Sequence, residues 1–198
     1  MSLEVLSTAA SIGTFLVIAA TAIAAVVQLR HLRTSNQLTG LLNILGRSED
    51  PIFAEWRDAT KVVAKEKLSD PAFRDLLEEG SYDRKDAPWV HLYNWYDYVG
   101  SLVKQGLVPE EAVMDVYSNV LVGDWKVGEG IIAITRRQVG PGIWENFEYL
   151  VWLSRQWLEF HEGAAYPRHA SRLPITDRWL DEDRARHGRM SVSEKSLP

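Results

Sequence analysis

Residues 5–29 of this 198-residue chain read VLSTAASIGTFLVIAATAIAAVVQL, an uncharged and largely apolar run. As a helix rising about 1.5 Å per residue, the run reaches about 37 Å, which exceeds the roughly 30 Å hydrocarbon core of a bilayer. A cleaved signal peptide would need a basic start and a shorter apolar stretch, whereas the charged side chain ahead of this run is Glu4. The run therefore predicts a single transmembrane helix, with a buried helix of a soluble protein as the less favoured alternative.

Basic residues follow the apolar run and precede the next acidic residue, Glu49. Arg30, Arg33 and Arg47 give residues 30–48 a formal charge of +3. Because positively charged flanks remain on the cytoplasmic side of a membrane, we expect the N-terminus to face outward and the bulk of the chain to be cytoplasmic. The same arginines are predicted to contact anionic lipid head groups.

Small side chains recur along the apolar run at multiples of four residues. Ala9, Gly13, Thr21 and Ala25 have this spacing, and Val17 fills the missing position. Such a stripe lets a second helix approach closely, which is how membrane helices associate in lipid. We therefore predict that these small residues pack against other subunits inside the membrane. The alternative is that alanine is simply common in membrane helices.

Composition narrows the possible functions of the rest of the chain. The chain has no cysteine, which excludes disulfides, cysteine-ligated metal centres and thiol catalysis. Residues 49–167 hold 12 Lys and Arg against 21 Asp and Glu, and so acidic a body is not expected to bind nucleic acid. With 46% hydrophobic and 10% aromatic residues, the chain is too apolar for global disorder and predicts a folded core.

Helix signals fill the region after the apolar run, and strand signals are nearly absent. Asp50 and Asp70 each precede a proline, which is the usual arrangement of a capping side chain and a first helical residue. Gly80 and Gly106 are expected to end helices. Apolar residues then recur with the helical period on two faces, namely Trp89, Leu92, Tyr93, Tyr96, Val99 and Val103, and Ala112, Val113, Val116, Tyr117, Val120 and Leu121.

These signals predict a mostly α fold in three parts. Residues 1–33 form the transmembrane anchor with its basic flank, and residues 34–165 form a bundle of about five to six helices. Residues 166–198 form a short helix and a polar tail. Short loops between the helices indicate antiparallel neighbours, as in a helical bundle.

The densest polar-aromatic cluster lies near His91 and Asp97. Asp97 beside tyrosine and histidine could serve acid–base chemistry or bind a small ligand. The helical period instead favours Tyr96 in the core, with Trp95 and Tyr98 pointing outward. Exposed aromatic side chains are common anchors of protein interfaces, so we predict that Trp95 and Tyr98 contact a partner.

Aromatic residues also crowd the last long helix, where Trp144, Phe147, Trp152 and Trp157 lie on more than one side. A pigment or cofactor site is one interpretation. A helix that is central in its bundle or covered by another subunit is the better one, because its apolar surface is so broad. Trp152 is therefore predicted to contact a partner as well.

The sequence lacks the common catalytic and cofactor motifs. None of the five histidines belongs to a His-Glu-x-x-His or Glu-x-x-His pair, the pairs typical of zinc proteases and di-iron bundles. Gly128, Gly130 and Ala133 match the letters of the dinucleotide pattern G-x-G-x-x-A, but they lie between helices without a preceding strand, so the match is interpreted as coincidence. We predict no catalytic residue, no cofactor and no metal.

Three stretches carry a resemblance to a known family. They read YNWYDYVGSLVKQGLV at 93–108, a helix centred on Trp125, and GIWENFEYL at 142–150, while QLRHLR at 28–33 is similar to the family's opening. In these stretches the chain resembles the membrane-anchored bacterial family catalogued as domain of unknown function 4760. The resemblance implies a single-pass anchor and a helical cytoplasmic domain, and it implies no activity. The expected location is the inner (cytoplasmic) membrane of a bacterial cell.

The function expected from these observations is that of a non-catalytic accessory, scaffold or stabilising subunit of a larger membrane protein complex. The partners would be other subunits of that complex, met through the transmembrane helix and the aromatic faces, together with anionic lipid. A membrane-tethered signalling or stress-response module is one alternative. A helical enzyme that binds a small ligand or a metal, near residues 91–98 or at Glu159 and His161, is another.

The predicted topology can be tested with single cysteine substitutions at Ser2 and Ser191, because the natural chain has no cysteine. A thiol reagent that cannot cross the membrane should label position 2 in intact cells and position 191 only after lysis. Labelling of position 191 in intact cells would show that the orientation is wrong.

Overall fold

The computed structural model describes residues 3–161 and 170–185, and within these residues the secondary structure is helical with no strand. The chain divides into two units, Met1–Ala165 and Tyr166–Pro198. The first unit contains six α-helices: α1 Leu3–Ser48, α2 Pro51–Val62, α3 Pro71–Glu79, α4 Pro88–Lys104, α5 Glu110–Val139 and α6 Glu145–Phe160. A π-helical turn, Val63–Lys67, continues α2. In the second unit residues 180–185 are helical, and the predicted polar tail lies outside the described residues.

The helix starts and stops predicted from the sequence are confirmed. Asp50 accepts the Ile52 N–H at 3.0 Å at the start of α2, and Asp70 accepts the Ala72 N–H at 3.0 Å at the start of α3. Each satisfies a backbone donor that the first helical turn leaves free. Gly80 ends α3 with a positive φ of 69°, a conformation that costs glycine nothing.

The first helix is longer than the predicted anchor. α1 runs without interruption for 46 residues, so the boundary expected between residues 33 and 34 lies inside a helix. Of the described residues, α1 forms the one helix long and apolar enough to cross a membrane, with mean hydropathy 2.2 in its most apolar window. Its far end enters the bundle, where Ile44 is 3% exposed. One helix therefore contains both the apolar run and a part of the bundle core.

The core of the bundle is built around α4, which packs against α2 on one side and α6 on another, while α5 packs against α3 and α6. The predicted inward face of α4 is confirmed, since all its members are buried: Trp89, Leu92, Tyr93, Tyr96, Val99 and Val103. The predicted face of α5 is rotated from the observed one. Val116 is 53% exposed, whereas Met114 and Ser118 are buried. Polar Ser118 and Asp124 face inward on α5, which apolar periodicity alone does not indicate.

α4 and α6 cross in close contact at Gly100. A Cβ atom on Gly100 would lie 2.2 Å from the carbonyl oxygen of Asn146, so glycine is what permits the two backbones to approach. Asp97, one turn earlier, accepts the backbone N–H groups of Asn146 at 2.8 Å and of Phe147 at 3.2 Å. A carboxylate of α4 thus caps the start of α6, where free N–H groups and the helix dipole favour negative charge.

The crossing can be tested by replacing glycine with alanine at two helical positions. Gly100→Ala should destabilise the fold by about 1–3 kcal/mol because the backbones must separate. Gly123→Ala, whose Cβ would meet nothing within 4 Å, should stabilise α5 by about 0.5–1 kcal/mol through helix propensity. Urea unfolding of the detergent-solubilised chain, followed by tryptophan fluorescence, measures both. Equal midpoints for the two variants would contradict the close crossing.

Candidate functional site

The carboxylate of Asp124 on α5 is a buried polar group that connects several helices of the bundle. Arg57 of α2 donates to it twice, from Nε at 2.7 Å and from Nη2 at 2.9 Å. Tyr96 of α4 donates its hydroxyl to the same carboxylate at 2.5 Å. The Asp124 side chain is 6% exposed. The three residues therefore join three helices through one buried ion pair and its hydrogen bonds.

The surroundings of this polar centre raise the pKa of both of its donors, Tyr96 and Arg57. Burial, and then the negative charge of Asp124, raise the pKa of Tyr96 well above its ordinary value. The hydrogen bond to Asp124 raises the pKa of Arg57, against the opposing effect of its partial burial. Both donors thus remain protonated, and both oxygens of Asp124 accept hydrogen bonds from the chain itself. This arrangement is suited to holding helices together rather than to exchanging protons with a ligand.

Tyr93, one turn before Tyr96 on α4, fills the space opposite Gly128 of α5. A Cβ on Gly128 would lie 1.9 Å from the hydroxyl oxygen of Tyr93, so this glycine makes room for the tyrosine ring. Burial raises the pKa of Tyr93. Gly128 and Gly130 lie in the interior of α5, not between helices as expected. The match to a dinucleotide pattern therefore reflects helix packing.

The cluster near His91 and Asp97 separates into side chains with different roles. The His91 ring stacks on Trp56 of α2, with ring centroids 4.9 Å apart. Asp97 caps α6, and Tyr96 belongs to the polar centre. At the end of α6, His161 stacks on Trp157 and its Nδ1 lies 2.9 Å from that residue's carbonyl oxygen. In the part of the chain that the structure describes, no three histidine or acidic side chains converge as metal ligands would.

The predicted contact residues differ in how far they are exposed. Trp95 is half-buried and not fully outward as predicted, because its ring packs 4.5 Å from Phe53 of α2 and 5.2 Å from Tyr96. Helical periodicity places a residue on a helix face but does not show that a neighbouring helix covers that face. Tyr98 is 61% exposed and Trp152 is 56% exposed. These two aromatic side chains remain available for a partner.

A groove of about 280 Å³ lies between α1 and α4 beside Tyr98. Arg47 of α1 lines it, and its guanidinium pairs with Asp50 at 2.9 Å and lies 5.1 Å from the ring of Trp56. Arg47 also lies about 27 Å along α1 from Leu29. Arg30, Arg33 and Arg47 are all exposed, and their contact with lipid head groups stays a prediction, which for Arg47 competes with its pairing to Asp50.

The stripe of small residues lies on the exposed surface of α1. Gly13, Thr21 and Ala25 are exposed, and a Cβ on Gly13 would meet nothing within 4 Å. Thr21 donates its hydroxyl to the carbonyl of Val17 at 2.8 Å, which satisfies the group without a partner helix. The side chain of Ala9 lies outside the described part of α1.

Sequence reasoning missed the polar centre. Arg57 and Asp124 are separated by 67 residues, and each has the sequence context of a solvated charge on a helix. A weak signal is that Asp124 falls on the inward stripe of α5 that Val113, Tyr117 and Leu121 define. A charged residue on an inward stripe usually has a buried partner, but the sequence does not identify that partner.

Together, the long exposed helix and the bundle with its saturated polar centre define a helical protein in which α1 is a candidate membrane span. Its sequence matches the model of a family described as Domain of unknown function (DUF4760) over residues 15–157. Since the match covers more than half of the chain, the protein belongs to this family. No curated protein and no solved structure matches the chain significantly.

The role of the polar centre can be tested by comparing two Asp→Asn variants. Asp124→Asn should destabilise the fold by about 2–4 kcal/mol, because it leaves the Arg57 charge without its counter-ion. Asp58→Asn serves as the control, since Asp58 pairs with Lys61 on the surface and is 76% exposed; its unfolding midpoint should equal that of the wild type. Chemical unfolding measures both. A wild-type midpoint for Asp124→Asn would contradict the structural role.

Proposed function

We propose that this chain is a single-pass, non-catalytic accessory subunit that stabilises or scaffolds a larger membrane protein complex. In this proposal α1 crosses the inner membrane of a bacterial cell with its N-terminus outside, and the bundle lies in the cytoplasm. The partners are other subunits, met inside the membrane and through exposed aromatic side chains, together with anionic lipid. The bundle does not bind nucleic acid.

The observation that carries the proposal is the exposure of the apolar part of α1. Phe15, Leu16, Ile18 and Ile23 are each 60–69% exposed, although they lie on a helix that also reaches the bundle core. A large apolar surface of this kind is not stable in water and is typical of contact with lipid or protein. The charges begin at Arg30, directly after the apolar run, which supports a membrane boundary at that point.

The bundle supports a binding role more than a catalytic one. The buried carboxylate of Asp124 is saturated by its own chain, and Asp97 caps a helix. Tyr98 and Trp152 remain exposed on α4 and α6, and Trp152 stacks on Tyr149 with centroids 6.3 Å apart. Exposed aromatic side chains suit a protein contact, because they contribute large area at low conformational cost.

The proposal can be tested by purifying the tagged full chain from its native membrane in mild detergent. Stoichiometric recovery of other membrane proteins, identified by mass spectrometry, is the expected result. A monomer or homodimer would overturn the accessory role in favour of a module with transient partners. A bound metal or cofactor would overturn it in favour of an enzyme.

Packing inside the membrane can be tested by placing the same branched side chain on two sides of α1. Gly13→Ile should lower the recovery of partners because it blocks close approach of another helix. Ser11→Ile is the matched control, since residue 11 lies about 200° around the helix from residue 13. Equal recovery from both variants and the wild type would remove Gly13 from the interface.

A further inference from the structure

The turn between α4 and α5 is fixed to α1 close to the end of the apolar run. Gln37 of α1 donates its side-chain amide to the carbonyl of Gly106 at 3.1 Å. A Cβ on Gly106 would lie 3.9 Å from Nη2 of Arg33, and one on Gly40 would lie 3.1 Å from Val108. The turn therefore has a defined position along α1, between residues 33 and 40.

The turn is also internally rigid. Gly106 has a φ of 67°, and its N–H donates to the carbonyl of Val103 at 2.9 Å. The next N–H, that of Leu107, donates to the carbonyl of Leu102 at 3.0 Å. These two bonds form a Schellman motif, in which the residue after the glycine usually packs back on its helix. Leu107 is nevertheless 52% exposed.

The position of the turn can be converted to a height above the apolar run. Arg33 and Gln37 lie about 6 Å and about 12 Å along α1 from Leu29. The polar layer on each side of the hydrocarbon core is about 5–8 Å thick. With the end of the hydrocarbon core at Leu29, the turn begins near Arg33 at the outer edge of the head-group layer and extends beyond it toward Gln37 and Gly40.

α5 extends away from the apolar run as it leaves the turn. Tyr117 of α5 is hydrogen-bonded to Ser48, which is about 28 Å along α1 from Leu29. Since Val108 packs at Gly40, α5 rises away from the apolar run in the same direction as α1. The α4–α5 turn is therefore the part of these two helices nearest to the membrane.

The charges near the turn are compatible with a lipid surface. Arg30, Arg33 and Lys104 are exposed there, and basic side chains next to a span attract anionic head groups. Glu110 and Glu111 lie in the first turn of α5, beyond Val108 and thus further from the apolar run. Glu145 of α6 lies 4.0 Å from Lys104 Nζ, so Arg30 and Arg33 are the basic groups on which the lipid contact rests.

We propose that the α4–α5 turn is a lipid-contact site in which Leu107 enters the head-group layer beside Arg30 and Arg33. This inference rests on the proposed membrane span of α1. The contact gives the bundle a second point of attachment to the bilayer, so that the bundle has a fixed height and orientation on the membrane surface. The ligand of the site is the interfacial layer of an anionic bilayer.

The test measures the membrane depth of three single-cysteine positions in the full chain, each labelled with an environment-sensitive nitrobenzoxadiazole (NBD) fluorophore. Leu107→Cys reports the turn, and Val116→Cys is the matched control, because Val116 is 53% exposed on α5. Ile18→Cys reports the span. The chain is placed in nanodiscs of phosphatidylcholine and phosphatidylglycerol that carry a nitroxide either on the head group or in the acyl chain.

The expected result is that the head-group nitroxide quenches the label at position 107 at least about twofold more strongly than the label at position 116. The acyl-chain nitroxide should quench position 18. Equal weak quenching at 107 and 116, with strong quenching at 18, would overturn the lipid contact and leave the span intact. Absence of quenching at 18 would overturn the span itself and with it the proposed function.

Discussion

The continuity of α1 is the constraint on which the rest of the structure depends. The helix passes from the apolar run through Arg30 and Arg33 to Ile44 in the bundle core without a break. A continuous helix transmits position and direction along its whole length, whereas a flexible linker would leave them free. In the proposed arrangement the bundle is thus held close to the bilayer at a fixed distance. Its partners would then meet it at a defined place on the membrane surface.

The bundle has the properties of a rigid body that a binding role requires. Asp124 connects α2, α4 and α5 through charge-assisted hydrogen bonds, and Asp97 connects α4 to the start of α6. Gly100 and Gly128 permit close packing where larger residues would separate the helices. Buried charges of this kind add less to net stability than their geometry suggests, since desolvation opposes them. Their geometry joins defined faces of α2, α4, α5 and α6.

The sequence predicts those features of the fold that depend on local chemistry. The caps at Asp50 and Asp70 and the inward face of α4 follow from side chains close to one another in the chain. Two other features depend on contacts between distant segments of the chain. They are the packing of Phe53 against Trp95 and the ion pair between Arg57 and Asp124. Single-sequence periodicity carries no information about such contacts.

The length of α1 exceeds that of the predicted anchor for a related reason. Charges at Arg30 and Arg33 indicate where an apolar run ends, but they do not indicate where a helix ends. The residues that follow contain no proline before residue 51, and Gly40 allows the helix to continue while Val108 packs against it. The residue at which the apolar run ends is therefore not the residue at which the helix ends.

The most direct test of the account is the distance between the two parts of α1. Spin labels at Thr21→Cys and Gly46→Cys, in the full chain in nanodiscs, are separated by 25 helical residues, or about 37 Å along a straight helix. Double electron–electron resonance should give one narrow distribution near that distance. A broad distribution, or a maximum well below it, would show a hinge between the apolar run and the bundle and would contradict the continuous helix.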